Sequence, residues 1–303
     1  MKKLLSLVLL ACMIFTFVAC NAPAEKEYTL SLAVDSSFNG SKQTNVAVAI
    51  VFDKDGKIVK AAFDSFEGSF GYNNGELVAV ENVSTKVEQG ENYGNGHSMP
   101  AGSWEKQANA FADAIVGKTA AEVEALDQTL VAGCTMQATT PVFKTLVKKA
   151  SDYDAKVSFK TADEIKLGFD INAKISGDAS AAKFTADYAA VVLAGGKVAA
   201  CMIDSSQNDY TLAVSGEGEN AVFAATALEY KGTKNEQGEG YKMPNGSWKK
   251  QGQVYANSAV GKTVAELANL ETVSDALAEA GCTMENTTGG YKTTIGDAAS
   301  KVK

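Results

Sequence analysis

Residues 99–104 read Met-Pro-Ala-Gly-Ser-Trp, and residues 243–248 read Met-Pro-Asn-Gly-Ser-Trp. Further along the chain, residues 132–136 and residues 280–284 both read Ala-Gly-Cys-Thr-Met. The segments occur in the same order and at nearly the same spacing, which indicates that one structural unit is repeated. The sequence therefore predicts two tandem homologous modules.

The positions of the repeated patterns set the expected boundaries. We expect a first module at residues 28–151, a linker at 152–164 and a second module at 165–303.

Each module opens with a strand pattern. Apolar residues alternate through residues 28–34, 46–52 and 58–63, and again through 165–171, 188–193 and 198–203. Gly56 and the pair Gly195-Gly196 lie between the last two strands of each set, where a hairpin turn needs positive φ. These patterns predict a small antiparallel sheet or hairpin in each module, with weaker strand signals at 76–80 and 221–228.

A glycine- and asparagine-rich loop is expected at roughly residues 66–100 and 205–244, and a helical period follows it in each module. Ser103 is a predicted N-cap for a helix that begins at Trp104 and ends before Gly117. Residues 119–122 and 263–266 have the Thr-x-x-Glu spacing of a capping box, so a short helix is expected after each.

The module ends are also predicted to be helical. Thr140 is the expected N-cap of a helix with Pro141 at its first position, extending to Ala150, and a weaker helix is expected from Tyr291 to Lys301. The fold class is therefore α+β, with each small sheet or hairpin packed against helices.

The N-terminus has the pattern of an export signal. Lys2 and Lys3 precede an apolar run at residues 4–18, and Cys20 follows Ala19. Residues 17–20, Phe-Val-Ala-Cys, resemble the lipobox of bacterial lipoproteins. The resemblance implies a signal peptide at 1–20, acylation of Cys20, a tether at 21–27 and an extracytoplasmic protein anchored to the cell membrane. An ordinary secretory signal cleaved near Ala19 or Ala24 is the alternative.

Composition argues against several functional classes. The formal net charge is −8 at pH 7, which disfavours nucleic acid as a partner. Cys134, Cys201 and Cys282 follow the lipobox, and an odd number at this spacing predicts neither a disulfide framework nor a metal site. His97 is the only histidine, so zinc and Ser-His-Asp chemistry are disfavoured.

The repeated Gly-Cys-Thr segment admits three chemical interpretations. Cys134 or Thr135 could be a nucleophile, but the second module has no histidine to act as its base. Alternatively, Thr135 and Thr283 could be attachment points, each carrying a cofactor whose phosphate benefits from backbone amides and the following helix dipole.

The order of these motifs resembles the FMN-binding domain family. In that family, a Gly-Lys-Ile strand precedes a glycine-rich loop, a helix that opens with tryptophan, a Gly-Lys turn and a Ser-Gly-Ala-Thr motif. This chain has Gly-Lys-Ile at 56–58, Trp104, Gly-Lys at 117–118 and Ala-Gly-Cys-Thr at 132–135. The layout is most similar to the tandem FMN-binding lipoproteins of flavin-based extracellular electron transfer.

The resemblance implies a cofactor and a role. By position, Thr135 and Thr283 would each hold FMN through a phosphoester bond made by a flavin transferase. The protein would then be a redox carrier rather than a substrate-transforming enzyme. It would relay electrons from a membrane donor, a quinone or a redox complex, to extracellular acceptors.

Neighbouring residues are candidates for contact with the flavin, although each also has a packing interpretation. Gly133 and Gly281 shape the threonine loops. The cysteines and methionines around these loops could line the ring or simply fill the core: Cys134, Cys282, Met136, Met284, Met99 and Met243. The competing function is a surface binding or structural lipoprotein that has a duplicated domain and no cofactor.

Overall fold

A computed structural model of the chain describes residues 24–39, 42–73, 76–78, 83–97, 99–178, 180–216, 222–227 and 230–303. The predicted signal peptide, Cys20 and the first three residues of the predicted tether lie outside these ranges. Below, the first half denotes residues 24–161 and the second half residues 165–303.

The described residues of the first half form six strands. They are β1 (Lys26–Asn39), β2 (Lys42–Asp53), β3 (Ile58–Ser69), the short pair β4 (Gly71–Asn73) and β5 (Glu76–Val78), and β6 (Val157–Thr161). Gly56 has φ 75° in the turn between β2 and β3. Asp53 stabilises this turn, because its Oδ1 accepts the N–H groups of Asp55 and Lys57 at 2.9 Å each.

The helices of the first half follow β5. They are α1 (Lys86–Gln89), α2 (Glu91–Gly96), α3 (Trp104–Ile115), α4 (Ala120–Glu124) and α5 (Thr140–Asp152), with a 3-10 turn at Gln128–Leu130. Ser103 caps α3 by accepting the N–H of Lys106, and Thr119 and Glu122 form the predicted capping box of α4. Both local predictions are confirmed.

The second half has the same order of large elements. Its strands are β7 (Ile165–Ser176), β8 (Ala182–Ala194), β9 (Lys197–Ser215), β10 (Val222–Ala227), β11 (Lys242–Met243) and β12 (Gly246–Ser247). Its helices are α6 (Lys234–Gln237), α7 (Trp248–Asn257), α8 (Val264–Leu267), α9 (Asp275–Glu279) and α10 (Glu285–Ser300), with a 3-10 turn at Gly238–Gly240. Gly195 and Gly196 have φ values of 56° and 79°, as a tight β8–β9 hairpin requires.

Two antiparallel four-stranded sheets share one core. Their strand orders are β3-β2-β1-β6 and β10-β9-β8-β7. Leu30 and Leu32 of β1 lie in the same buried cluster as Leu167 of β7 and Phe184 of β8, so the sheets pack face to face. The outer face of each sheet is covered by the helices of its own half, which gives four layers in the order helix, sheet, sheet, helix.

Buried polar side chains connect the two sheets. Asn45 of β2 donates to Tyr188 Oη of β8 at 2.8 Å and to Ser206 Oγ of β9 at 3.1 Å. Tyr210 of β9 donates its hydroxyl to Gln43 Oε1 of β2. Because each of these groups is buried, their partners fix the register between the sheets.

The structure confirms the α+β class and corrects the starts of two predicted helices. Thr140 is not the N-cap of α5; the cap position is Thr139, and Thr140 lies inside the helix with its hydroxyl bonded to Met136 O. The last helix begins at Glu285 rather than Tyr291. The predicted linker at 152–164 contains β6, which pairs with β1.

No helix among the described residues is both long enough and apolar enough to cross a membrane.

Candidate functional site

The Gly-Cys-Thr segments form loops just ahead of long helices. Gly133 and Gly281 have φ values of 78° and 102°, a backbone conformation that favours glycine. Thr135 follows the first loop and is exposed, whereas Thr283 follows the second and is half-buried. Helix α5 begins five residues after Thr135, and α10 begins two residues after Thr283.

A buried glutamine holds each threonine. The N–H and hydroxyl of Thr135 donate to Gln107 Oε1 at 2.8 and 3.0 Å. Thr283 makes the same two bonds to Gln251 Oε1, also at 2.8 and 3.0 Å. Both glutamines are fully buried on the helix that opens with tryptophan, so each threonine is tied to the core at the same place.

The two glutamines differ in their remaining polar atom. Gln107 Nε2 donates to Gly102 O at 3.0 Å, whereas the buried Gln251 Nε2 has no partner among the described residues. Tyr255, one turn further along α7, also has a buried hydroxyl without a partner. The second site therefore contains unpaired polar groups that the first does not have.

Four of the candidate cofactor contacts lie in the hydrophobic clusters beneath the helices: Cys134, Cys282, Met136 and Met284. Burial raises the pKa of the Cys134 and Cys282 thiols, so the reactive thiolate is disfavoured. Met99 and Met243 are half-buried and pack against the same clusters. These six side chains therefore lie in or against the hydrophobic clusters, whereas Thr135 is exposed and Thr283 is half-buried.

A buried lysine lies beside each tryptophan. Lys86 Nζ is 5.7 Å from the Trp104 ring and 4.8 Å from the Tyr93 ring, and it pairs with Glu67 at 2.7 Å. Lys234 Nζ is 5.5 Å from the Trp248 ring but has no carboxylate within ion-pair distance in the described ranges.

The environment of Lys234 shifts the pKa of its ammonium group. Burial lowers the pKa of its ammonium, and the negative charges of Asp187 and Asp204 act in the opposite direction.

Lys86 and Lys234 are the first residues of α1 and α6, and a buried aspartate accepts a backbone N–H from each of these helices. Asp64 Oδ1 accepts the N–H groups of Ser65 and Val87 at 2.7 and 3.2 Å. Asp204 Oδ1 accepts the N–H groups of Ser205 and Asn235 at 2.8 and 3.0 Å. Burial raises the pKa of both Asp64 and Asp204 to about 7, although these hydrogen bonds favour the charged form.

The sequence patterns did not predict the buried side chains of Lys86, Lys234, Asp64 and Asp204. Residues 85–93 read Thr-Lys-Val-Glu-Gln-Gly-Glu-Asn-Tyr, and residues 233–241 read Thr-Lys-Asn-Glu-Gln-Gly-Glu-Gly-Tyr. Both segments begin with a Thr-x-x-Glu capping box, which the structure contains in each half. Aligning the loop that precedes Trp104 with the loop that precedes Trp248 would have revealed this repeated segment.

Two cavities lie close to these elements. One, of about 670 Å³, is next to the second threonine loop: Ala280 lines it together with Val254, Leu270, Lys262 and Asn269. The other, of about 760 Å³, lies between the halves, against β3 and β7. Both volumes are within the range of small-molecule sites.

The chain matches no protein-family model, no curated protein and no solved structure.

Proposed function

We propose that the protein is a lipid-anchored, extracytoplasmic electron carrier that holds FMN through phosphoester bonds at Thr135 and Thr283. The observation that carries the proposal is the pair of loop threonines, one exposed and one half-buried, each held in the same way by a buried glutamine. The order of sequence motifs around them supports the choice of FMN over another phosphate-bearing group.

The surroundings of the threonines fit a phosphate. The chain contains no arginine, so a phosphate would depend on backbone amides, lysine side chains and helix dipoles. Helices α5 and α10, of 13 and 16 residues, begin within a few residues of Thr135 and Thr283. Their positive N-terminal ends favour negative charge at these loops.

In the proposal, the ring system of a flavin on Thr283 would occupy the cavity beside Ala280, which is three residues from Thr283 in the chain. Its volume of about 670 Å³ exceeds what the ring needs, and its walls combine apolar side chains such as Val254 and Leu270 with polar ones such as Asn269. When bound, FMN supplies reversible one- and two-electron transfer, while the protein supplies position and electrostatic environment.

Each residue of the chain then has a limited role. Before FMN is attached, Gln107 and Gln251 accept from the threonine hydroxyls and hold them against the helix. A phosphoester oxygen has no proton to donate, so once FMN is attached only the bonds from the Thr135 and Thr283 N–H groups to these glutamines would remain. The thiols of Cys134 and Cys282 stay protonated and inert, because burial raises the pKa of each. In the proposal, acylated Cys20 keeps the carrier at the membrane, where a quinone or a redox complex would supply electrons.

The test is in-gel fluorescence and the visible spectrum of the chain exported alongside a flavin transferase. We expect a yellow protein with covalent flavin fluorescence on a denaturing gel. Thr135→Val and Thr283→Val should each lower the fluorescence, whereas the matched controls Thr139→Val and Thr287→Val should leave it unchanged.

A cofactor-free binding lipoprotein is the second candidate, favoured by the cavity of about 760 Å³ between the halves. Protein that stays colourless while the same transferase flavinylates another substrate would support this candidate and refute the FMN proposal.

A further inference from the structure

The cavity between the halves lies along the free edge of a sheet. β3 is the edge strand of the first sheet, and the cavity of about 760 Å³ extends along its residues 59–64. Helices α1 and α3, strand β7 and the side chains of Lys301 and Lys303 form the other walls. We call this cavity the β3 cleft.

The free part of β3 is bounded at both ends by other segments of the chain. At one end Ile58 exchanges backbone hydrogen bonds with Lys118 and Gly117 at 2.9 and 2.7 Å, and at the other Phe66 forms a bridge with Thr85. Between these points β3 pairs only with β2 among the described residues. An unpaired strand edge is a template for another strand.

Strand β9 of the second half shows how such an edge can be closed. Val198 exchanges bonds with Lys262 and Gly261, each at 2.8 Å, and both β9 and β3 have a register shift next to this anchor. The carbonyls that follow accept side-chain donors: Asn235 Nδ2 bonds Ile203 O at 2.8 Å, and Gln253 Nε2 lies 3.5 Å from Cys201 O. Tyr153 also covers this edge, since its hydroxyl lies 3.4 Å from Asp204 Oδ2.

The corresponding edge of β3 lacks these donors. The register of β3 with β2 matches that of β9 with β8, so the carbonyls of Ala61 and Phe63 correspond to those of Cys201 and Ile203. Val87 stands in place of Asn235, and its side chain has no hydrogen-bond donor. Asn109 stands in place of Gln253 but is shorter, and its Oδ1 lies 3.4 Å from Lys303 Nζ. Within the described ranges, no side chain donates to either β3 carbonyl.

The walls of the cleft define the chemistry of a strand that could fill it. Ala112, Leu167 and Phe169 are apolar. In the described part of the chain, the charged side chains that line the cleft are four acidic and three basic ones: Asp64, Glu88, Glu105 and Asp113, and Lys60, Lys301 and Lys303. Lys301 pairs with Glu88 and Asp170, and Lys303 pairs with Glu105, whereas Asp113 has no ion-pair partner among the described residues. The chain as a whole carries a formal net charge of −8. A strand with apolar residues on one face and basic residues on the other complements these features.

We propose that the β3 cleft binds an extended peptide of alternating apolar and basic residues, which adds to β3 as a further strand. Its N–H groups donate to Ala61 O and Phe63 O, and its apolar side chains contact Leu167 and Phe169. This interaction surface is independent of the threonine loops and of any cofactor.

The test is fluorescence anisotropy with the chain from Asn21 onward, which includes every described residue. The probe is fluorescein-labelled Val-Lys-Val-Lys-Val-Lys amide. Two further probes are N-methylated at the backbone of the three valines or of the three lysines. Because only one set of N–H groups faces β3, we expect one methylated probe to bind at least tenfold more weakly and the other to bind within threefold of the parent.

A double variant, Val87→Asn with Asn109→Gln, introduces the donors found in the second half. It should weaken binding at least tenfold while leaving the thermal unfolding midpoint within a few degrees. Equal binding of all three probes, equal binding by the folded double variant, or no binding up to 1 mM probe would each overturn the proposal.

Discussion

Replacing the two buried glutamines by leucine should have unequal effects on stability, although their threonine contacts are the same. Gln107→Leu removes three hydrogen bonds, two accepted from Thr135 and one donated to Gly102 O. Gln251→Leu removes two bonds, both accepted from Thr283, and also removes a buried amide group that has no partner.

The magnitude follows from the difference between the two sites. A buried hydrogen bond contributes about 1 kcal/mol net, and a buried unpaired donor costs roughly 1–3 kcal/mol. We therefore expect Gln107→Leu to lower the free energy of unfolding by about 3 kcal/mol. Gln251→Leu should change it by only about −1 to +1 kcal/mol, because the two lost bonds are offset by removal of the unpaired donor. The gain from burying leucine is common to both, so the difference of roughly 2–4 kcal/mol is the firmer quantity.

Urea unfolding at pH 7 and 25 °C, followed by tryptophan fluorescence, measures both free energies. Each variant should unfold with the same dependence on urea concentration as the parent. If the two substitutions lower stability equally, within about 0.5 kcal/mol, the assigned difference between the sites is wrong.

Three further substitutions test the fold and its buried charges. The pKa of Asp204 is raised from 3.8 to about 7 in the folded state. Between about pH 4 and pH 7 the folded state therefore keeps a proton that the unfolded state releases. Because of this difference, the contribution of Asp204 to the free energy of unfolding falls as pH rises through that range. Asp204→Asn should therefore gain up to about 4 kcal/mol relative to the parent between pH 4 and pH 7.5, and a pH-independent difference in urea unfolding would contradict this. Gly168→Ala would place a Cβ 1.8 Å from the carbonyl oxygen of Ala298 in α10 and should lower the free energy of unfolding by more than about 2 kcal/mol. The control Gly296→Ala has open space around its new Cβ and should not lower it. Equal melting temperatures of the two variants would refute the close packing of Gly168 against α10. Tyr188→Phe should cost about 1–2 kcal/mol in thermal unfolding, because Asn45 loses a buried partner; an unchanged midpoint would mean that the bond between the sheets contributes nothing.

Local signals in the sequence predicted local structure well. Ser103, Thr119 and Thr263 act as helix caps, and the glycines of the two hairpins have positive φ, because each signal depends only on residues nearby in the chain.

Features set by long-range packing were not predicted. Helix α10 continues through Gly289 and Gly290, which have low helix propensity, because Tyr291 and Ile295 are fully buried against the second sheet. The core shared by the two sheets depends on contacts between residues more than a hundred positions apart, such as Asn45 and Tyr188.

The candidate site was predicted in part. The repeated segment identified Thr135 and Thr283, but nothing in the sequence linked Thr135 to Gln107, which is 28 residues away. Lys86 and Lys234 could have been found from the repeat at 85–93 and 233–241, whereas the difference in their ion pairing depends on Glu67, which is distant in sequence from Lys86.

The most direct measurement of the central claim is the intact mass of the chain from Asn21 onward, exported together with an active flavin transferase. The account predicts a mass increase of two FMN units, each less one water, with one unit lost in Thr135→Ala, one lost in Thr283→Ala and both lost in the double variant. An unmodified mass, with the transferase active on a control substrate, or modification that persists in the double variant, would contradict it.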